Sequence, residues 1–432
     1  MKHFLLLIMC ASITSTHLFA QTPTAEESNP KRTKYMQGYP PPTDKRINAR
    51  DGSFFEFPAL RYSVCHMREF MPTIGVERLN RTPVHCFEYN IDPNIDNLTF
   101  TPTGSNDTLT FAESLPINYT DGILILHRGK IIYERYFGEL TPERVHAVMS
   151  VTKSLTGTLA SVLAAEGIID TAKLVAYYIP ELANSGFGDA TVRQVMDMTT
   201  AIKYSEDYTD PEAEIWKFSA AGNAMIEHPE GTPQGYYDYL PQIVKDGEHG
   251  DIFGYRTVNS DVLGWIIARS SGMTVAELMQ KVFWSRMGME LDGYYQVDAL
   301  GTPFAGGGFN AGLRDLARFG EMIRLGGSWR GVQIIPEEAV KDITEGGSAA
   351  PFARSTYAKG LPGWSYRNMW WKSNNEDGAF MARGVHGQAI YIDPAAEMVL
   401  VRLASSDKAS NTLLDPMSLP AYQAVADYLK EK

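Results

Sequence analysis

The chain has 432 residues, 44% of them hydrophobic and 21% charged, with 39 Lys and Arg against 51 Asp and Glu for a net charge of −12. That is ordinary globular composition, long enough to bury one large domain or two closely packed ones. The acidic excess is scattered and no Lys/Arg-rich run interrupts it, which argues against nucleic acid and anionic membrane surfaces as partners.

Residues 1–20 carry Lys2 and His3, then an apolar run from Phe4 to Met9, then polar residues and Ala20 ahead of Gln21. These are the three regions of a secretory signal peptide, so a periplasmic or secreted protein is expected. Cys10 follows the bulky Met9, where a lipid-modified cysteine wants a small residue. No other run reaches about 18 apolar residues, so no membrane insertion of the mature chain is expected. Residues 21–50, rich in Thr, Glu, Pro and Lys, read as a tail or linker with little to bury. Residues 51–100 mix aromatics and prolines without clean periodicity and read as an irregular wrap. Cys65 and Cys86 lie within this stretch, and in an oxidising compartment they form either a disulfide or two buried thiols.

Residues 122–126 and 131–136, separated by the turn-prone 127–130, predict a hairpin of two sheet strands. The hairpin leads into the apolar, small-residue segment 151–166, which has helical spacing and stops at Gly167. Residues 170–300 hold further helical patterns, clearest at 191–198, 261–271 and 274–287, with a long aromatic and acidic loop at 204–211 between them. Few strands here, between strand-rich ends, predict a helical subdomain set on a sheet domain. Gly306-Gly307-Gly308 precedes a helix at 313–325, residues 364–372, 388–392 and 398–403 read as strands, and 421–430 as a terminal helix. No internal repeat is visible.

The pattern S-x-x-K occurs at Ser28/Lys31, Ser150/Lys153 and Ser405/Lys408, and chance alone supplies about one in a chain this long. Only Ser150 opens a long apolar helix, where the alternative is a structural N-cap serine. Three residues apart, Ser150 and Lys153 share a helix face. The helix N-terminus behind the serine favours an oxyanion, and a lysine one turn inside an apolar helix loses hydration and becomes able to take a proton. That is a nucleophile with its own base. Ligand spacings such as H-E-x-x-H are absent and so is a G-x-S-x-G elbow, so neither a metal, nor another cofactor, nor an alpha/beta-hydrolase site is expected.

Three more stretches stand in order behind Ser150: Tyr255-Arg256-Thr257-Val258-Asn259 ahead of an apolar helix, the Gly306-Gly307-Gly308 turn, and Gly384-Val385-His386-Gly387 entering a strand. With Ser150-Val151-Thr152-Lys153 they resemble the serine beta-lactamase and penicillin-binding-protein superfamily. Within it the chain looks like the class C beta-lactamase and esterase branch, and there like the 6-aminohexanoate-dimer hydrolase type of carboxylesterase. The likeness spans residues 36–430, including Met36 to Pro42 and Arg68 to Thr73. It implies a mixed α/β (α+β) fold over residues 51–430, with a central antiparallel sheet flanked by helices and a helical subdomain at roughly 170–300.

The resemblance also implies roles. Ser150 matches the nucleophile, Lys153 the general base, and Tyr255 the tyrosine that passes a proton to the leaving group. The backbone amides of Ser150 and Val385 match the oxyanion donors. Tyr208, Ser219, Gly384 and His386 fall at substrate-binding positions, although His386 is read preferentially as a locally bonded histidine. Tyr208 matches a mobile-loop tyrosine that bonds a scissile amide nitrogen, and Glu206, Asp207 and Asp210 beside it suggest a mobile loop. The chain departs from the pattern at three places: Thr257 stands where an Asn is usual, Ala382 where a basic residue binds a carboxylate, and Ser219 where an acidic residue grips an amino group. An exported serine hydrolase for small esters is therefore expected, with little beta-lactam or linear-amide turnover. A D-amino-acid peptidase or beta-lactamase, and a silent binding protein of the same fold, are the rivals.

Overall fold

The computed structural model describes residues 22–79 and 82–432. The leader expected over residues 1–20 lies outside the described residues. Among the described residues no helix is long and apolar enough to cross a membrane.

Eleven strands build two antiparallel sheets. The smaller pairs β1 (Thr73–Val76), β5 (Gly293–Gln296), β6 (Phe309–Gly312) and β4 (Val145–Ala147) in that order. The larger runs β7 (Ser365–Arg367), β8 (Trp370–Lys372), β9 (Phe380–Gly384), β10 (Gln388–Asp393), β11 (Met398–Ala404), β2 (Thr120–His127) and β3 (Lys130–Tyr136). Every residue of β10 and β11 is buried, because helices cover both faces of the large sheet. Gly320 of one covering helix (Leu313–Arg324) sits so close to Ile390 and Val399 that an added Cβ would come within 3.0 and 2.7 Å of their side chains. On the opposite face Tyr391 packs its ring 5.5 Å from Tyr422 of the terminal helix Asp415–Lys430.

Between the sheets runs α1 (Val151–Ala165), buried at every residue from Val151 to Leu163. A helix without a polar face must be enclosed on all sides. Its hydroxyls satisfy neighbouring carbonyls: Ser154 donates to Met369 at 2.7 Å and Thr156 to Ala305 at 2.9 Å. Residues 170–300 hold several helices and the strand β5. The helices include α2 (Val192–Met196), α3 (Glu214–Ala221) and α4 (Val258–Ser271).

Several boundaries differ from the sequence reading. Residues 364–372 form two strands, because Asn368 and Met369 both adopt positive φ, 50° and 64°, and make a two-residue hairpin turn. The helix predicted at 274–287 is an α-helical turn (Val275–Met279) that widens to a π-helix at Gln280–Trp284. The terminal helix starts at Asp415, with Pro416 in its first turn where a missing N–H costs nothing. The segment read as a tail is folded onto the body: Ser28, Ile47 and Ala49 are buried. Arg61, itself buried, donates to Ser28 at 2.9 Å, to Ser405 at 3.2 Å and to Asp121 at 3.2 Å. The two other S-x-x-K serines thus serve one structural arginine. Ile47, Phe54, Val64 and Phe70 form a second core that includes Met149, the residue before Ser150. Cys65 and Cys86 are free thiols.

Candidate active site

Ser150 caps the N-terminus of α1 but makes no side-chain capping bond, so its hydroxyl is available for other work. One turn on, Lys153 Nζ lies 2.8 Å from Ser150 Oγ and 2.6 Å from the carbonyl of Gly306, the first residue of the predicted glycine turn. Lys153 is 1% exposed. Burial pulls its pKa down to about 8 against the opposing pull of the Glu206 and Asp261 carboxylates. A substantial fraction is therefore neutral amine near pH 8, able to accept the serine proton.

Tyr255 lines the same recess as Ser150, and its ring stands 5.1 Å from Lys153 Nζ. The ring is held in an aromatic box by Trp371 at 5.4 Å, Tyr366 at 6.3 Å and Tyr357 at 6.4 Å. Burial first, and then the Glu206 charge, push the Tyr255 phenol well above its ordinary value. Of the two groups beside Ser150, only the lysine is displaced towards its proton-accepting form.

Two left-handed residues shape the backbone here: Met149 at φ 48° and His386 at φ 63° flank Ser150 and Val385. Non-glycine residues in this region are sparsely populated and need surrounding structure to hold them. Ser150 and Val385 line the same recess. Gly384, at the end of β9, brings that strand against the serine turn: a Cβ there would sit 2.8 Å from the Val148 carbonyl. His386 bonds the Ser406 carbonyl through Nδ1 at 2.7 Å, the local role favoured from the sequence, and burial lowers its pKa.

Ser150 stands between two hollows. The smaller, about 50 Å³, is lined by Tyr255, Tyr357, Trp371, Arg383 and Glu206 among others. The larger, about 450 Å³, has mostly apolar walls, including Phe54, Phe55, Ile215, Trp216, Ile226 and Phe304, with Lys153 and Ser219 also on its lining. Tyr208 touches both.

The acidic loop, expected to be mobile, has its carboxylates hydrogen-bonded in this structure. The Glu206 carboxylate accepts from Tyr208 Oη at 2.7 Å, from the Thr257 amide at 2.6 Å and from Thr257 Oγ1 at 2.7 Å. Asp207 accepts from the Thr209 amide at 2.9 Å, and Asp210 from the Glu212 amide at 2.9 Å. These carboxylates are bonded because each faces free N–H or O–H donors within its own turn or on α4. The Tyr208 hydroxyl is thereby directed at Glu206.

Glu206 and Asp261 are the site residues that sequence reasoning missed. Asp261, 1% exposed in α4, accepts from the Ala305 amide at 3.1 Å, while its Oδ2 has no partner. Burial raises its pKa well above the carboxylate range. A carboxylate in the first turn of α4, six residues past Tyr255, was the available signal. The Asn259 of the second motif is turned away, accepting from Thr200 at 2.7 Å. Arg383 is clamped by Asp415 at 2.5 and 2.6 Å under the Trp371 ring. Among the described residues no group of three or more His, Cys, Asp or Glu could hold a metal ion.

Comparison with known proteins agrees with this architecture. Residues 120–418 match the family model described as Beta-lactamase. The chain is 33% identical to a 6-aminohexanoate-dimer hydrolase of Paenarthrobacter ureafaciens over 353 residues, 82% of this chain and 87% of that one. A solved structure of the same name from Bacillus anthracis superposes with a TM-score of 0.80 at 31% identity, covering 90% of this chain and 99% of the other. A family VIII carboxylesterase shares the fold at a TM-score of 0.53 and 16% identity, covering 73% of this chain and 95% of that one. The chain belongs to the beta-lactamase family. It is a serine hydrolase of that fold.

Proposed function

We propose that the protein cleaves small carboxylic esters through an acyl-enzyme on Ser150, with Lys153 as the base, after export from the cytoplasm. The observation that carries this reading is the 2.8 Å contact between Ser150 Oγ and a buried Lys153 whose pKa is about 8. In the first half-reaction the neutral amine takes the serine proton as Oγ attacks the ester carbonyl. The oxyanion rests on the amides of Ser150 and Val385, where each donor contributes roughly 3 kcal/mol. The intermediate collapses as Tyr255, a neutral phenol on the same recess as Ser150, passes a proton to the departing alkoxide. Lys153, now ammonium, returns its proton to the Tyr255 phenolate and is neutral again, so that water attacking the acyl-enzyme gives its proton to Lys153 and Ser150 Oγ recovers one as the acid leaves.

The hollows divide the substrate. Tyr255 lines only the small one and Lys153 only the large one, so the leaving alcohol belongs in the small recess and the acyl chain in the cavity. The rival in which the fold is catalytically silent is disfavoured, since a binding role has no use for a half-neutral lysine against a serine hydroxyl. Export rests on residues 1–20 alone.

The test is covalent labelling. A fluorophosphonate probe should attach to the wild type at Ser150, and Ser150→Ala should lose both label and p-nitrophenyl acetate hydrolysis. Near-normal hydrolysis by folded Ser150→Ala would sink the assignment.

A further inference from the structure

The large cavity carries a charge pattern that the resemblance to amine-gripping dimer hydrolases does not account for. Among the described residues no Asp or Glu lines it. Apart from Lys153, its one charged lining residue is Arg50, at the end of the folded N-terminal segment. Arg50 is exposed, and its guanidinium has no hydrogen bond or ion pair among the described residues, whereas Arg61 and Arg383 are each bound to a carboxylate. The neighbouring Asp51 accepts from the Ser53 amide at 3.0 Å and does not line the cavity. Ser219 is a neutral hydroxyl, and Asn223 is already engaged with the Ala49 carbonyl at 3.0 Å and the Met225 amide at 2.9 Å. Among the described lining residues the formal charges are therefore positive only, in a chain of net charge −12.

We infer that the acyl group this cavity takes is an unbranched apolar chain ending in a carboxylate, so that the preferred substrates are half-esters of dicarboxylic acids. The walls of Phe54, Phe55, Ile215, Trp216 and Phe304 bury the methylenes, each contributing roughly fourfold in kcat/KM. The free guanidinium of Arg50 meets the distal carboxylate, the planar fork being suited to that group. An amine at the same place meets a like charge and no acid. This rests on the reading of Ser150 as nucleophile.

The experiment compares monoethyl succinate, adipate and suberate with the ethyl esters of amino acids of matched length, following acid release in a pH-stat. Each rate is divided by the same variant's rate on p-nitrophenyl acetate, so that partial unfolding cancels. The wild type should favour the carboxylate over the amine by about fivefold or more at the best length, the scale of a partly exposed ion pair set against a like-charge contact. Arg50→Glu should reverse that order. A ratio at or below one at every length, or a ratio unchanged in Arg50→Glu, overturns the proposal. The Ser150→Ala variant separates the two failures: if it is dead while the ratio fails, only the carboxylate end is wrong. If it turns over both ester series, the nucleophile assignment falls and this inference with it.

Discussion

On one side of Ser150 the wall is Tyr255, Tyr357, Trp371 and an arginine already neutralised by Asp415; on the other it is aromatic and aliphatic, with an arginine whose guanidinium has no partner among the described residues. In the small recess every charge has its partner within the protein. Glu206 takes three donors and Arg383 two carboxylate oxygens. Both charges thus have partners within the protein, although Arg383 Nη1 is buried with no hydrogen-bond partner among the described residues. The large cavity offers area and, among the described residues, one arginine without a partner, which favours recognition over chemistry. The division teaches where selectivity and rate should separate under mutation.

The hardest blow to this contrast falls on the lysine. Lys153→Ala should lower ester turnover by several orders of magnitude, because base and nucleophile act as a unit. In the wild type the sign follows from the pKa of about 8: below it Lys153 is ammonium and cannot accept a proton. The kcat/KM for a neutral ester should therefore rise tenfold per pH unit up to about pH 8 and level off above. A flat profile between pH 6 and 9 would remove Lys153 as the base.

A middling effect is expected where strand meets serine turn. Gly384→Ala would push its Cβ towards the Val148 carbonyl and the Gln388 side chain, at 2.8 and 3.0 Å. The strand must shift, taking the Val385 amide with it, and a misplaced oxyanion donor costs about 10- to 100-fold in kcat. KM for acyl chains held in the large cavity should change little. A KM defect with normal kcat would mean that the turn belongs to recognition.

How much of this was legible in the sequence follows from the range of the interactions. The strand at 398–403 and the helix after Ser150 announce themselves because burial on all sides leaves continuous apolar runs. The Ser150/Lys153 pair is legible for the same reason, since the buried helix is what distinguishes it from the other two pairs. What escaped is whatever depends on distant partners or on backbone handedness. Ser28 looks like tail until Arg61 ties it to Ser405, far along the chain. Met149, Met369 and His386 take left-handed conformations that nothing in a methionine or histidine announces. Glu206 and its neighbours read as a mobile acidic loop, because the donors that hold Glu206 lie on Tyr208 and on Thr257, some 50 positions away.

The smallest expected effect tests whether Tyr208, which touches both hollows, belongs to the chemistry at all. Its hydroxyl donates to Glu206, and Glu206 keeps both bonds from Thr257 when that donor is removed. Its ring also packs edge-on against Trp216 at 5.9 Å, a contact that phenylalanine preserves. Tyr208→Phe should therefore leave p-nitrophenyl acetate hydrolysis within about threefold of wild type, because an aryloxide departs with little help. An amide is different: its nitrogen must be protonated as the intermediate collapses, so a second phenol near the leaving group matters more. Any amidase activity should fall further than the esterase activity in the same variant. If both fall equally, Tyr208 organises the site through Glu206 and Thr257, and the separation of a chemical recess from a recognition cavity no longer holds at the loop that joins them.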